Sequence, residues 1–293
     1  MPTYPVKIIS LFIALIALVG MSCDLGALIP SDVQFGQPEP SRQTIFKGIV
    51  YERIIRQDPR PMVIHVVTID LKAEGISVLV TPGEAGSSQP LTARTTSDFL
   101  SDFNMSLAIN GDAFEPWNDY GPLGFSPHAG DTVSPIGFAA SRGVIYSEDT
   151  DEEPTLYIYQ TNKASIDALI GKIYNAISGN ELLIKNGELA EDLLATETNP
   201  RTAVGLNRAG SKLIIIIIDG RQTGYSEGAT LHELAALFLE NGAFRAINLD
   251  GGGSTTLVME GSDGQPMLLN SPVHGGNPGT ERPVGNHLGI SAK

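Results

Sequence analysis

The sequence has one cysteine, Cys23, one tryptophan, Trp117, and far fewer basic than acidic residues. A single cysteine cannot close an internal disulfide, so the fold must be held by its apolar core. With 19 Lys and Arg against 33 Asp and Glu the formal charge is −14, and no cluster of basic residues interrupts it. That balance excludes a phosphate-backbone binder, and no nucleic-acid partner is expected. The N-terminal apolar run, Ile8 to Val19, is twelve residues long, short of the ~20 that a membrane-spanning helix needs. Nucleotide signatures are also missing: there is no G-x-x-x-x-G-K-[ST] and no G-x-G-x-x-G opening a helix, and Thr256 spoils a G-x-S-x-G elbow. The histidines at 65, 128, 232, 274 and 287 form no metal-ligand spacing. No cofactor is implied, and a divalent metal held through aspartates alone stays open.

What is present begins with Lys7 ahead of that apolar run, and Gly20-Met21-Ser22-Cys23 behind it. The length suits the core of a signal peptide over residues 1–22. Cys23 stands where a bacterial lipoprotein signal places its lipidated cysteine, so a membrane contact through a lipid anchor on Cys23 is expected, with plain secretion as the alternative. The protein is thus expected to be exported to the cell envelope. Residues 23–43, including the proline-bearing "SDVQFGQPEPS", read as a tether, and residues 44–293 as a single catalytic domain.

Within that domain, Ile45–Ile55, Met62–Leu71 and Ile76–Val80 read as strands, and Thr95–Phe103 as a short helix capped by Thr96 or Ser97. Residues 115–135 have no periodicity and form a long loop whose aromatics, Trp117, Tyr120 and Phe125, point to function. Hairpins are expected over Phe138–Tyr146 and on Asn186-Gly187. Ala203–Asn207 should pair with Lys212–Ile218, whose five consecutive isoleucines mark a strand buried on both faces. Thr230-Leu231-His232-Glu233 is a capping box that opens a helix running to about Asn241. The strand Ala246–Leu249 follows, and strand, helix, strand in this order predicts a parallel crossover. The expected fold is mixed α/β (α+β), a central mixed β-sheet with packed helices.

Two strands end in Asp-Gly, at Asp219 and Asp250, and strand ends are where open sheets gather binding groups. Arg201 and the turn Asn110-Gly111-Asp112 are candidates to join them in one cleft. In "DGGGST", the run Gly251, Gly252 and Gly253 can expose successive backbone N–H groups as an anion site, with the Ser254 and Thr255 hydroxyls as further donors. A tight turn free of steric strain accounts for the glycines equally well. Glu233 can serve catalysis or only complete its capping box. Asp219 and Arg221 can form a structural ion pair, Arg201 can pin the chain to a carboxylate, and His128 in the long loop can donate a proton.

"NPRTAVG", "DGR" followed by "SEGATLHELAALFLENGAFRAINLDGGGSTTLV", and "ERPVGNHLGI" together resemble the phosphodiester glycosidase family over roughly Leu107 to Ile290. The resemblance implies functional roles for Arg201 and Thr202, for Asp219 and Arg221, for Glu233, and for Asn248, Asp250, Gly251, Gly252 and Ser254. It implies a carbohydrate or sugar-phosphate substrate in the envelope or outside the cell.

Hydrolysis of a sugar phosphodiester at the anomeric carbon expels a phosphate monoester, already a good leaving group, so one carboxylate can suffice where ordinary glycosidases need two. Asp250 is the first choice for base or nucleophile, with Arg201 binding phosphate through charge-assisted hydrogen bonds. Two alternatives stand beside this: a non-catalytic glycan-binding lipoprotein serving exopolysaccharide assembly or export, and a glycosidase for ordinary glycosidic bonds that uses Glu233 or Asp112 as its acid.

Overall fold

The computed structural model describes residues 38–121, 124–148 and 152–293; the expected signal peptide, Cys23 and most of the tether lie outside the described residues. The first strand, Ser41–Phe46, begins inside the segment read as tether and turns at Lys47-Gly48 into a second, Ile49–Arg56. These open an eight-stranded sheet that continues through Met62–Asp70, Lys212–Ile218, Arg201–Leu206, Arg245–Asn248, Glu181–Lys185 and Glu188–Leu189. A five-stranded sheet runs Pro266–Leu268, Leu257–Glu260, Leu107–Asn110, His287–Ala292 and Ile76–Val80. Another five-stranded sheet runs Val144–Ser147, Ala139–Ser141, Asn175–Ser178, Thr155–Ile158 and Ala164–Ile166.

The isoleucine strand shows why these layers stack. Side chains alternate faces along a strand, and Ile215 and Ile217 enter the core between the sheets while Ile214, Ile216 and Ile218 enter the core beneath a helix. That helix, α2, spans Leu231–Glu240 and buries Leu231, Leu234, Ala235, Leu237 and Phe238. Thr230 caps it reciprocally with Glu233, as the S/T-x-x-E spacing requires. The shorter α1, Thr96–Asp102, packs Phe99 and Leu100 on the outer face of the first five-stranded sheet. Its cap is Thr95, ahead of the expected Thr96 or Ser97, because it is the Thr95 hydroxyl that accepts from the Asp98 N–H.

Two expectations are corrected. The fold is β-rich, with two α-helices of seven and ten residues among the described residues. Every ladder between the named strands is antiparallel, so the central sheet is not mixed. Lys212–Ile218 and Arg245–Asn248 do run in the same direction, but Arg201–Leu206 lies between them and pairs antiparallel with both. The tight turn at Asn207–Ser211 fills that slot with a hairpin partner first, and the helical crossover has to step over it. The long loop, in turn, contains short ladders, Asn118–Asp119 with Phe125–Ser126 and Phe114–Glu115 with Thr132–Pro135. Among the described residues no helix is long and apolar enough to cross a membrane.

Removing the reciprocal cap on α2 should cost stability alone. Thr230→Ala is expected to lower the unfolding free energy by about 1 kcal/mol, read as an earlier urea midpoint with an unchanged slope; an unmoved midpoint would contradict the capping account.

Candidate active site

Antiparallel alternation places the start of Arg201–Leu206 beside the ends of its two neighbours. Arg201 faces Ile218 across one ladder and Ala203 faces Asn248 across the other, so Arg201, Asp219 and Asp250 emerge at one edge. Asn180, just before the strand Glu181–Lys185, joins them because Glu181 pairs with Asn248. The second sheet is tied to this edge by Asn110, whose Nδ2 donates to the Asp250 carbonyl at 2.7 Å while its Oδ1 accepts from Thr202 Oγ1 at 2.8 Å and Thr256 N at 3.1 Å. Asp250 N donates to the Gly111 carbonyl at 3.0 Å.

A cleft of about 690 Å³ opens here, lined on its floor by Arg201, Arg221, Asn248, Asp250 and Gly251–Gly253. The glycines act differently from the expected anion nest: the N–H groups of Gly252, Ser254 and Thr255 already donate to the carbonyls of Pro200, Gly251 and Gly252. Their value is the missing side chain. A Cβ on Gly251 would stand 2.7 Å from the Pro200 carbonyl, one on Gly252 would stand 3.2 Å from both terminal nitrogens of Arg221, and one on Gly253 would fall inside the Arg282 guanidinium. Gly252 also has φ +59°, a conformation that glycine adopts at no steric cost. Two guanidiniums thus lie on bare backbone immediately after Asp250.

Each arginine is held. Arg221 Nη2 donates to Asn199 Oδ1 at 2.8 Å, and its backbone has φ +59°, a left-handed conformation that costs a bulky residue about 1–3 kcal/mol. Arg282 donates to Ser254 Oγ at 3.1 Å and lies over the Trp117 ring at 4.0 Å. Arg201 donates to the carbonyls of Ala229 and Glu197, at 2.9 and 3.0 Å, which pins the surrounding loops through backbone oxygens and not through a carboxylate.

Burial pushes the Asp250 carboxyl above its ordinary range, and only partly is this opposed by the Ser254 hydroxyl, the charge of Arg282, the Gly251 N–H and Arg221. Burial lowers both Arg201 and Arg282, and Arg221 lowers each of them further by like-charge repulsion. Three arginines line the cleft against two carboxylates, Asp250 and Asp119, which leaves spare capacity for an anion. Asn248 is buried at the cleft wall: its Nδ2 donates to Asn180 and to the Leu249 carbonyl, while its Oδ1 has no partner among the described residues.

Several expected residues stand elsewhere. Asp219 is buried and spent: its Oδ1 accepts from Asn270 Nδ2 and Ser271 N, and its Oδ2 from Tyr225 OH and His65 Nε2, at 2.9–3.1 Å. It pairs with His65, not Arg221. Glu233 faces Arg60 and Thr230; burial alone would raise its carboxyl, but those hydrogen bonds and the Arg60 charge outweigh it and hold it low. Asp112 is buried with Oδ1 on Ala113 N and Oδ2 on Gly137 N, and burial, with Glu153 and Asp250 nearby, raises it well above the ordinary range. Thr202 and Asn110 form the clamp behind Asp250, Ser254 anchors Arg282, and Thr255 is buried with its carbonyl on Asn270. His128 lies at the surface beside Asp131. None of these lines the cleft.

The opposite wall comes from residues that sequence reasoning did not single out individually, apart from the aromatics of the long loop. Trp117 stacks on Phe125 at 5.6 Å, and His274 packs against Phe125 at 4.6 Å. Asp119 adds a second carboxylate to the lining, and Asn199 and Arg282 complete it. Arg282 sits inside the quoted "ERPVGNHLGI", but one arginine in a loop carries no periodicity or spacing that would mark it. Among the described residues no group of three or more His, Cys, Asp or Glu side chains converges.

Residues 103–291 match the family model described as phosphodiester glycosidase. An N-acetylglucosamine-1-phosphodiester alpha-N-acetylglucosaminidase of Bos taurus is 31% identical over 115 residues, 36% of this chain and 21% of that protein. The SPbeta prophage-derived uncharacterized protein YomE of Bacillus subtilis is 30% identical over 131 residues, 43% of this chain and 19% of that protein. The chain therefore spans about a fifth of the length of these curated relatives. The fold is shared with the catalytic domain of the zebrafish N-acetylglucosamine-1-phosphodiester alpha-N-acetylglucosaminidase auto-inhibited by pro-peptide (TM-score 0.58, 20% identity, 88% of this chain and 85% of that one). A hypothetical protein from Synechocystis shares it too (TM-score 0.56, 16% identity, 87% and 64%).

The buried carboxylate has a stability signature. The folded state binds the Asp250 proton more tightly than the unfolded chain does, so this group stabilises below its ordinary value of 3.8 and loses that contribution as pH rises through the raised folded value. Asp250→Asn cannot ionise, so its stability relative to the native protein should improve as pH rises from 3.8 toward neutrality, measured by urea melts across pH. A constant difference would contradict the raised value.

Proposed function

Because the chain belongs to the phosphodiester glycosidase family, we propose that it hydrolyses a sugar linked through its anomeric carbon to a phosphodiester, in an envelope or extracellular glycan. The observation that carries this reading is Asp250 set under Arg221 and Arg282, which rest on side-chain-free Gly252 and Gly253. Asp250 removes a proton from water as that water attacks the anomeric carbon, or attacks the carbon itself to give a glycosyl ester that water then hydrolyses; in either case the bond from anomeric carbon to phosphate oxygen breaks, and the phosphate monoester departs with the bonding electrons. A raised carboxyl pKa makes a better proton acceptor. Arg221 and Arg282, with Arg201 behind them, hold the charge that collects on the leaving phosphate, the place where preorganised donors matter most. Trp117 and Phe125, which line the cleft, flank the sugar ring. The name of the mammalian relatives, an alpha-N-acetylglucosaminidase acting on N-acetylglucosamine-1-phosphodiester, makes an N-acetylhexosamine phosphodiester the first substrate class to try. Export and lipid anchoring through Cys23 belong to the same proposal.

Asp119 favours a second reading. An ordinary glycosidic bond needs an acid for its poor leaving group; Glu233 and Asp112 are committed to other partners, whereas Asp119 lines the cleft. Asp119 then protonates the leaving oxygen while Asp250 attacks.

Purified protein should release free sugar from an N-acetylglucosamine phosphodiester, and Asp250→Asn should lower kcat by roughly 10²–10⁴ with folding intact by circular dichroism. Wild-type turnover in that variant removes Asp250 from the mechanism, and sugar binding without turnover in the native protein makes it a glycan binder. Asp119→Asn separates the two hydrolytic readings: it should leave phosphodiester cleavage near the native rate, whereas a loss on aryl or alkyl glycosides alone assigns Asp119 as their acid.

A further inference from the structure

A second cavity, of about 490 Å³, lies away from the cleft, framed by Arg142, Lys163, Lys172, Tyr159, Tyr174 and Ile170. We propose that it binds an anionic glycan, a polysaccharide bearing uronate or phosphate groups, independently of the hydrolytic reading above.

Charge is the first argument. In a chain with 33 acidic and 19 basic residues, this cavity has three cations and no carboxylate in its lining. None of the three cations is in an ion pair with another described residue. Asp167, the carboxylate in the nearby loop, is drawn off toward Arg245 at 3.6 Å.

Backbone geometry is the second. Arg142-Gly143 is a two-residue hairpin loop with φ +51° and +84°, close to the φ +57° and +86° of Asn186-Gly187. Such loops favour asparagine first, because positive φ strains larger side chains. Asn186 obeys that preference and Arg142 goes against it, held in place by Asn175 Oδ1 on its N–H at 3.1 Å and by Gly143 N on the Tyr174 carbonyl at 2.7 Å. The turn would be easier to form with asparagine, so the guanidinium is present for something other than the turn.

The rest of the lining fits a sugar. Half-buried Tyr174 supplies aromatic surface, and the buried Tyr159 accepts through its OH from Ile170 N at 2.8 Å, fixing the rim. Ile170, 63% exposed, lies in this rim. Tyr174 and Asn180 lie before and after the strand Asn175–Ser178, one lining this cavity and the other the cleft. Six residues of extended chain reach about 20 Å at most, so one polymer can engage both places.

Affinity electrophoresis and calorimetry on the full chain, with hexagalacturonate as the carboxylate probe and oligo(glycerol phosphate) as the phosphate probe, test the proposal. Native protein should bind at least one of them, and which one names the anion. Arg142→Asn should weaken binding about tenfold while keeping or raising thermal stability, and Lys163→Glu with Lys172→Glu should abolish binding. Lys47→Ala, an exposed cation outside both places, should leave it unchanged, and the cleft variants Arg221→Ala and Arg282→Ala should retain the binding made at the cavity. The proposal is overturned by no binding to either probe, by binding indifferent to the cavity variants, by binding lost only in the cleft variants, or by equal binding of poly-glutamate, which would make the cavity a site for acidic peptides.

Discussion

The cleft depends on an absence of atoms: three residues after Asp250 carry no side chain, and three different groups occupy the space. The Pro200 carbonyl closes on Gly251, the Arg221 guanidinium on Gly252 and the Arg282 guanidinium on Gly253. A larger residue at 252 or 253 would push a cation out of its seat beside the carboxylate. Two or three guanidiniums cannot be crowded together without a counter-charge, so the same approach that seats them also creates the demand for an anion. Burial sharpens the effect, because desolvation raises the carboxyl and lowers the guanidiniums at once.

Behind this surface stands a set of polar groups that hold one another, with the Thr255 and Thr256 hydroxyls left without a partner among the described residues. Asn110 ties the ends of two sheets together through Asp250, Thr202 and Thr256. Asp219 gathers Asn270, Ser271, Tyr225 and His65 beneath the cleft edge, and Asn270 in turn holds Thr255 and Leu257. A buried carboxylate satisfied on both oxygens organises loops and offers nothing to a substrate. Residues of one chemical type therefore divide by their partners: Asp250 and Asp119 line the cleft, while Asp219, Asp112 and Glu233 build its surroundings.

Much of this was legible in the sequence, for identifiable reasons. The isoleucine strand, the Asn-Gly hairpin and the Thr230–Glu233 capping box are local signals, and each appears where the pattern placed it. Convergence of Arg201, Asp250 and the glycine run followed from strands that end together. The sheet direction did not, because a crossover helix is compatible with a parallel neighbour or with one place further along, and the hairpin at Asn207–Ser211 decided it through a tertiary pairing. Asp219 was misplaced because Asp-Gly at a strand end looks alike whether the carboxylate turns inward to His65 or outward to solvent. Arg282 was missed since its meaning comes wholly from what it touches: Ser254, Trp117 and the bare Gly253.

Central to this account is the claim that Gly253 is bare in order to seat Arg282 against Asp250. A double-mutant cycle on kcat/KM with Gly253→Ala and Arg282→Ala tests it most directly, since residues acting through one contact do not contribute additively. Each single variant should lose activity, and the double variant should lose little more than Arg282→Ala alone, with all three folded. Fully additive losses, or a Gly253→Ala variant as active as the native protein, would contradict it.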